Sequence, residues 1–123
     1  MRSKILLLTL IPFITFGQEY ITQADFETKV AKGISVVEYW AYWNKANQCS
    51  YLKELNDCEV YRINVQKFQT LQKKHNVASL PTLIIFENGK EISRFAADLT
   101  FKLAVTKKQV QKEIDKIMLS KFQ

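Results

Sequence analysis

An apolar run rich in β-formers covers residues 36–40, where Val36, Val37, Tyr39 and Trp40 surround a single charge, Glu38. β-Branched and aromatic residues without polar alternation predict a strand buried on both faces. Upstream, Tyr20 and Ile21 suffice for a minimal strand or an extended lead-in. Thr22 suits an N-cap with Asp25 near the positive end of its helix, Phe26 and Val30 share a face at i and i+4, and Gly33 supplies the stop. Beyond Trp43, the apolar residues Cys49, Leu52 and Leu55 recur on one side while Lys53 and Glu54 face water. This predicts a helix N-capped by Asn44, running to about Leu55 and ended by Asn56-Asp57.

Residues 59–65 alternate, with Tyr61, Ile63 and Val65 on one side, and predict the next strand. Phe68, Leu71 and His75 mark a helix over 66–76, and residues 82–87 form a compact apolar strand. Asn88-Gly89 is a hairpin signal, because both central residues of such a turn need positive φ, so residues 92–96 must return antiparallel. The period of two then persists through Phe95, Ala97, Leu99, Phe101, Leu103 and Val105. At about 3.3 Å per residue, a strand over 91–105 would exceed about 40 Å, so part of it must bend, bulge or overhang the sheet. Two readings stay open: an edge strand followed by a bend that folds Phe101 and Leu103 back on the core, or an extended edge offering Leu99, Phe101 and Leu103 to a partner. Thr106 and Gln109 form a capping box for a closing helix whose apolar face is Val110, Ile114, Ile117 and Met118.

A chain of 123 residues supports one domain with one core, and neither a repeat nor a linker divides it. Hydrophobic residues at 47% and charged residues at 24% fit a globular chain rather than a disordered one. The net charge is +6, and its local cluster at Lys107, Lys108 and Lys112 reads as a solvated helix face. No aromatic-basic motif accompanies it, so nucleic acid is not the expected partner. Residues 1–17 read as a signal peptide: Arg2 and Lys4, then an apolar stretch, then Thr15-Phe16-Gly17 before Gln18. The stretch is about a dozen residues, short of the roughly 20 that span a bilayer, and Pro12 interrupts it. The expected product is a soluble, exported domain over 18–123, periplasmic or extracellular, without a membrane span after signal removal.

Cys49 and Cys58 are the two cysteines, an even count for an oxidising compartment. They are compatible with a disulfide or with two buried thiols behaving as small hydrophobes. His75 is the one histidine, no other ligand stands at metal-binding spacing, and neither a metal nor another cofactor is expected.

Trp40-Ala41-Tyr42-Trp43 after a buried strand, together with Leu80-Pro81-Thr82 and the strand-turn-strand that follows, resembles the thioredoxin family, whose signature is a strand, then W-A-x-W-C-x-x-C, then a helix. The resemblance covers nearly all of residues 22–119 and implies an α/β fold: a thioredoxin-like three-layer sandwich with a mixed central β-sheet flanked by helices. It implies a cis peptide before Pro81 and a groove that binds an extended polypeptide, lined by Trp43, Asn44, Asn47, Leu80 and Pro81. It also implies that Glu38 is the family's buried acid, with Arg62 as a basic neighbour. Both thiols of the signature are replaced, by Asn44 and Asn47, and an amide cannot ionise to attack a disulfide. The helix beside them looks about two turns short, which would leave the groove open, and the last helix begins later than the family's usual. The expected function is redox-inactive binding of another polypeptide, as an accessory subunit or a folding or assembly factor in the cell envelope. The alternative is a thiol–disulfide oxidoreductase using Cys49, with or without Cys58.

Overall fold

The buried run at 36–40 lies inside the sheet because it is paired on both sides. The computed structural model of the chain describes residues 19–122, so the signal segment expected at 1–17 lies outside the described residues. The strands are β1 (Glu19–Tyr20), β2 (Ile34–Trp40), β3 (Glu59–Asn64), β4 (Thr82–Glu87) and β5 (Lys90–Ala96), and the helices α1 (Gln23–Lys29), α2 (Gln69–Lys74) and α3 (Lys107–Ser120). Strand order is β1-β3-β2-β4-β5, with β3 parallel to β1 and β2, and β4 antiparallel to both β2 and β5. Every residue of β2 is buried.

Alternation along the strands sorts side chains into two apolar layers. Val37, Tyr39, Tyr61, Ile63, Ile84 and Phe86 pack under Phe26 and Val30 from α1 and its end, and Leu71 of α2. On the other face Ile34, Val36, Leu83 and Ile85 meet Val110, Ile114 and Ile117 of α3, along with Cys49, Leu52 and Leu55. This is the three-layer arrangement expected. Local signals hold at the caps: Thr22 accepts from the Asp25 N–H, and Thr106 and Gln109 close a reciprocal box. Asn88 and Gly89 take φ of 51° and 83°, and Asn88 also exchanges hydrogen bonds with Gly33, which ties the hairpin to the start of β2.

One expectation is corrected, and one open choice is decided for the bend against the extended edge. Residues 44–55 are not an α-helix but two 3₁₀ segments, Tyr42–Asn47 and Leu52–Glu54, and Asn44 sits inside the first instead of capping a helix. The reason is tertiary: the Cys49 N–H bonds the Glu38 carboxylate and the Cys49 carbonyl accepts from Arg62, so neither group is left for a helical ladder. The three-residue spacing of Cys49, Leu52 and Leu55 suits a 3₁₀ period. Second, the edge strand ends at Ala96, and residues 97–105 carry no strand. Asp98 N–H bonds the Lys102 carbonyl, Phe101 N–H bonds the Asp98 carbonyl, and Phe101 turns left-handed at φ 62°. Leu99 is therefore 98% exposed at a turn rather than aligned along a sheet edge. Leu103 and Val105 return to pack on the α3 layer, and the Tyr51 hydroxyl donates to the Val105 carbonyl at 2.7 Å.

Candidate functional site

At the carboxyl end of β2 the chain leaves the sheet through Ala41 and enters the first 3₁₀ segment. The Gln66 side-chain oxygen accepts the Tyr42 N–H and holds that exit in place. Trp43 projects outward, 58% exposed, while Asn44 turns inward and is 8% exposed. Facing Asn44 is the loop before β4, where the Leu80–Pro81 peptide is cis, as expected, and the Thr82 hydroxyl donates to the Ser79 carbonyl at 2.7 Å.

The Asn44 amide fills this junction. Its Nδ2 donates to the Leu80 carbonyl at 3.1 Å and to the Phe101 carbonyl at 3.0 Å, and its Oδ1 accepts from Asn47 Nδ2 at 2.6 Å. The Phe101 ring meets Trp43 edge to face, 5.4 Å between centroids at 88°. Trp43, Asn44, Asn47 and Leu80 are thus brought together beside Pro81, with Phe101 added over them. The groove is not left open by the short helical segment, because the turn after β5 covers part of it. What remains is a cleft of about 320 Å³ between Trp43, Leu80 and Phe101 on one side and Gln69 and Gln72 of α2 on the other.

A second polar cluster lies beneath. Glu38, fully buried, pairs with Arg62 at 2.6 Å from Nε to Oε1; its Oε2 accepts the Cys49 N–H at 2.7 Å, and Arg62 Nη2 donates to the Cys49 carbonyl at 2.6 Å. Burial pushes the Glu38 carboxyl above its ordinary value, opposed by the Arg62 guanidinium and the Cys49 N–H. Each charge meets its partner and the backbone of one residue, Cys49.

Cys49 and Cys58 are both free thiols, so no disulfide joins them. Burial pushes Cys49 up to about 11 and Cys58 up to about 12. His75 is half-buried against Phe26 and Phe86, its Nδ1 2.8 Å from the Tyr39 hydroxyl, and burial lowers its pKa. Among the described residues no three His, Cys, Asp or Glu side chains are grouped to hold a metal ion, and no helix is long and apolar enough to cross a membrane.

Sequence reasoning missed Gln66 and Tyr51, whose partners lie 24 and 54 residues away and leave no local pattern. It named Phe101 but not its contact with Asn44.

Comparison with known proteins agrees with the architecture. The family model described as thioredoxin matches residues 17–116. Thioredoxins of Staphylococcus aureus strains Mu50 / ATCC 700699 and MW2 are each 30% identical over 83 residues, covering 60% of this chain and 78% of theirs. Among solved structures, a mutant thioredoxin from Halobacterium salinarum NRC-1 aligns with a TM-score of 0.64 at 18% identity, over 81% of this chain and 89% of its own. A thioredoxin from Plasmodium falciparum aligns with a TM-score of 0.64 at 20% identity, over 80% of this chain and 97% of its own. A family match that spans residues 17–116, most of the chain, places this protein in the thioredoxin family.

Proposed function

We propose that this chain is a redox-inactive member of its family that binds another polypeptide at the Trp43–Asn44–Pro81 groove, as an accessory subunit or folding or assembly factor in the cell envelope. The observation that carries this reading is Asn44 itself. Where a thiolate would attack, a neutral amide points at the proline loop and hydrogen-bonds main-chain carbonyls. An amide can hold a peptide backbone but cannot form a mixed disulfide. Export rests on the signal-like residues 1–17, and N-terminal sequencing of the mature protein should begin at Gln18.

The relatives' name, thioredoxin, favours the alternative of disulfide exchange through Cys49, with or without Cys58. Burial opposes it. A thiol pushed up to about 11 is ionised in only about one molecule in ten thousand at neutral pH, and Cys49 is 4% exposed.

Insulin reduction separates the two readings. The wild-type chain should show no rate above the uncatalysed background, while Asn44→Cys/Asn47→Cys gains one; a wild-type rate equal to that of the double variant overturns the non-catalytic reading. Binding is checked with the alkylated B chain of insulin, an extended polypeptide without a disulfide. It should protect Trp43 from acrylamide quenching, and unchanged quenching at millimolar B chain argues against the groove.

A further inference from the structure

The turn over the groove is organised by one carboxylate. Asp98 Oδ1 accepts from the Thr100 N–H at 2.8 Å, from the Thr100 hydroxyl and from the Lys102 N–H at 3.3 Å, and backbone bonds join Asp98 to Lys102 and to Phe101. The turn therefore holds its own shape. It nonetheless delivers Phe101 into the groove, with the carbonyl on Asn44 beside the Leu80 carbonyl and the ring on Trp43. Both Nδ2 hydrogens of Asn44 are then used, and its Oδ1 already accepts from Asn47, which leaves no Asn44 donor for a second chain while the turn is down.

Phe101 achieves this at φ 62°. The other non-glycine residues with positive φ among the described residues are Asp57, Asn76 and Asn88, whose short polar side chains tolerate the left-handed region. A phenylalanine has no such compensation. The turn's own backbone bonds, from the Phe101 N–H to the Asp98 carbonyl and from the Asp98 N–H to the Lys102 carbonyl, set this left-handed position, as a tight three-residue reversal requires.

Resting on the reading that the groove holds a polypeptide, we propose that residues 98–102 are its built-in occupant, and that the partner they stand in for is an uncharged extended segment bringing a main-chain carbonyl to Asn44 and an aromatic side chain to Trp43. The chemistry of the partner follows from what the groove offers. Where Phe101 sits, the groove presents the Asn44 amide donor and one exposed indole, and the remaining cleft walls, Leu80, Ala78 and the neutral amides of Gln69 and Gln72 among them, carry no charge. A carbonyl and a ring satisfy both, as Phe101 does. Because the turn is tethered beside its site, it competes at high effective concentration and weakens binding of any free peptide.

The test uses the full chain, wild type and two variants, with two blocked five-residue peptides: one with phenylalanine at its centre, the other all alanine. Binding is read as protection of Trp43 from acrylamide; Trp40 is buried and contributes a constant background. Phe101→Gly, which removes the ring and relaxes the left-handed position, should bind the phenylalanine peptide about tenfold more tightly than wild type does, and about fivefold more tightly than it binds the alanine peptide. Asp98→Ala, which unties the turn but keeps the ring, should gain about threefold. If wild type and both variants bind the phenylalanine peptide equally, the turn is no occupant. Equal affinity of the opened variants for the two peptides overturns the aromatic partner and leaves the groove reading standing. Failure of all three proteins to bind either peptide overturns both.

Discussion

Two polar clusters flank the end of β2, and each fixes a piece of backbone by opposite means. Glu38 and Arg62, sealed under the sheet, clamp both main-chain groups of Cys49 with a pair of charges. Asn44, turned inward beneath the half-exposed Phe101, clamps the carbonyls of Leu80 and Phe101 with a neutral amide. The difference lies in what is left when a member is lost. A buried charge without its partner is costly, whereas a carbonyl near the surface can turn to water. The charged cluster therefore belongs to the permanent fold, and the amide cluster is a closure that can open.

The largest effect should come from breaking the charged cluster. Glu38→Ala leaves Arg62 buried and unpaired and should lower stability by about 3–5 kcal/mol in urea denaturation; a loss below about 1 kcal/mol would erase the distinction. Asn44→Ala should lose only about 1–2 kcal/mol, with faster amide exchange confined to residues around 79–81 and 97–103. Exchange spreading into β2 would show that the amide too holds the core.

Acid should move the two regions in opposite senses. Glu38 has a folded pKa above its unfolded value, so its ionisation lowers stability as pH rises through the folded pKa, and that penalty is absent below about the ordinary value of 4.5. Asp98 has its pKa lowered, chiefly by the Thr100 hydroxyl, so its support of the turn is present above 3.8 and is lost as pH falls through the folded value. Trp43 should thus become more quenchable below pH 3.8 before near-ultraviolet dichroism reports loss of the core. Coincident transitions would show a single cooperative unit. The smallest stability change is expected for Phe101→Gly, within about 0.5 kcal/mol, because the lost ring contact is offset by relief of the left-handed strain. A loss as large as that of Glu38→Ala would make the turn a structural strap.

Much of the fold was legible because local rules and tertiary packing agree. The Asn88-Gly89 turn, the Thr22 and Thr106 caps, the alternation of β3 and the compact apolar run of β4 each carry their own geometry in adjacent residues. The cis peptide before Pro81 came from the resemblance, not from the residues alone. The failures fell where long-range partners overruled a local pattern. Cys49, Leu52 and Leu55 looked helical until the backbone of Cys49 was claimed by Glu38 and Arg62, and the alternation from Phe95 to Val105 left a bend and an extended edge both open until Asp98 reversed the chain.

The sequence by itself determined most of the elements, the buried centre strand and the absence of sulfur at Asn44 and Asn47, since these are properties of residues and their near neighbours. Only the tertiary structure decided that Asn44 holds Phe101 across 57 residues and that the groove is partly filled by its own chain. The physical reason is that a hydrogen-bond donor is visible in the sequence, but the acceptor it meets is chosen by how distant segments pack.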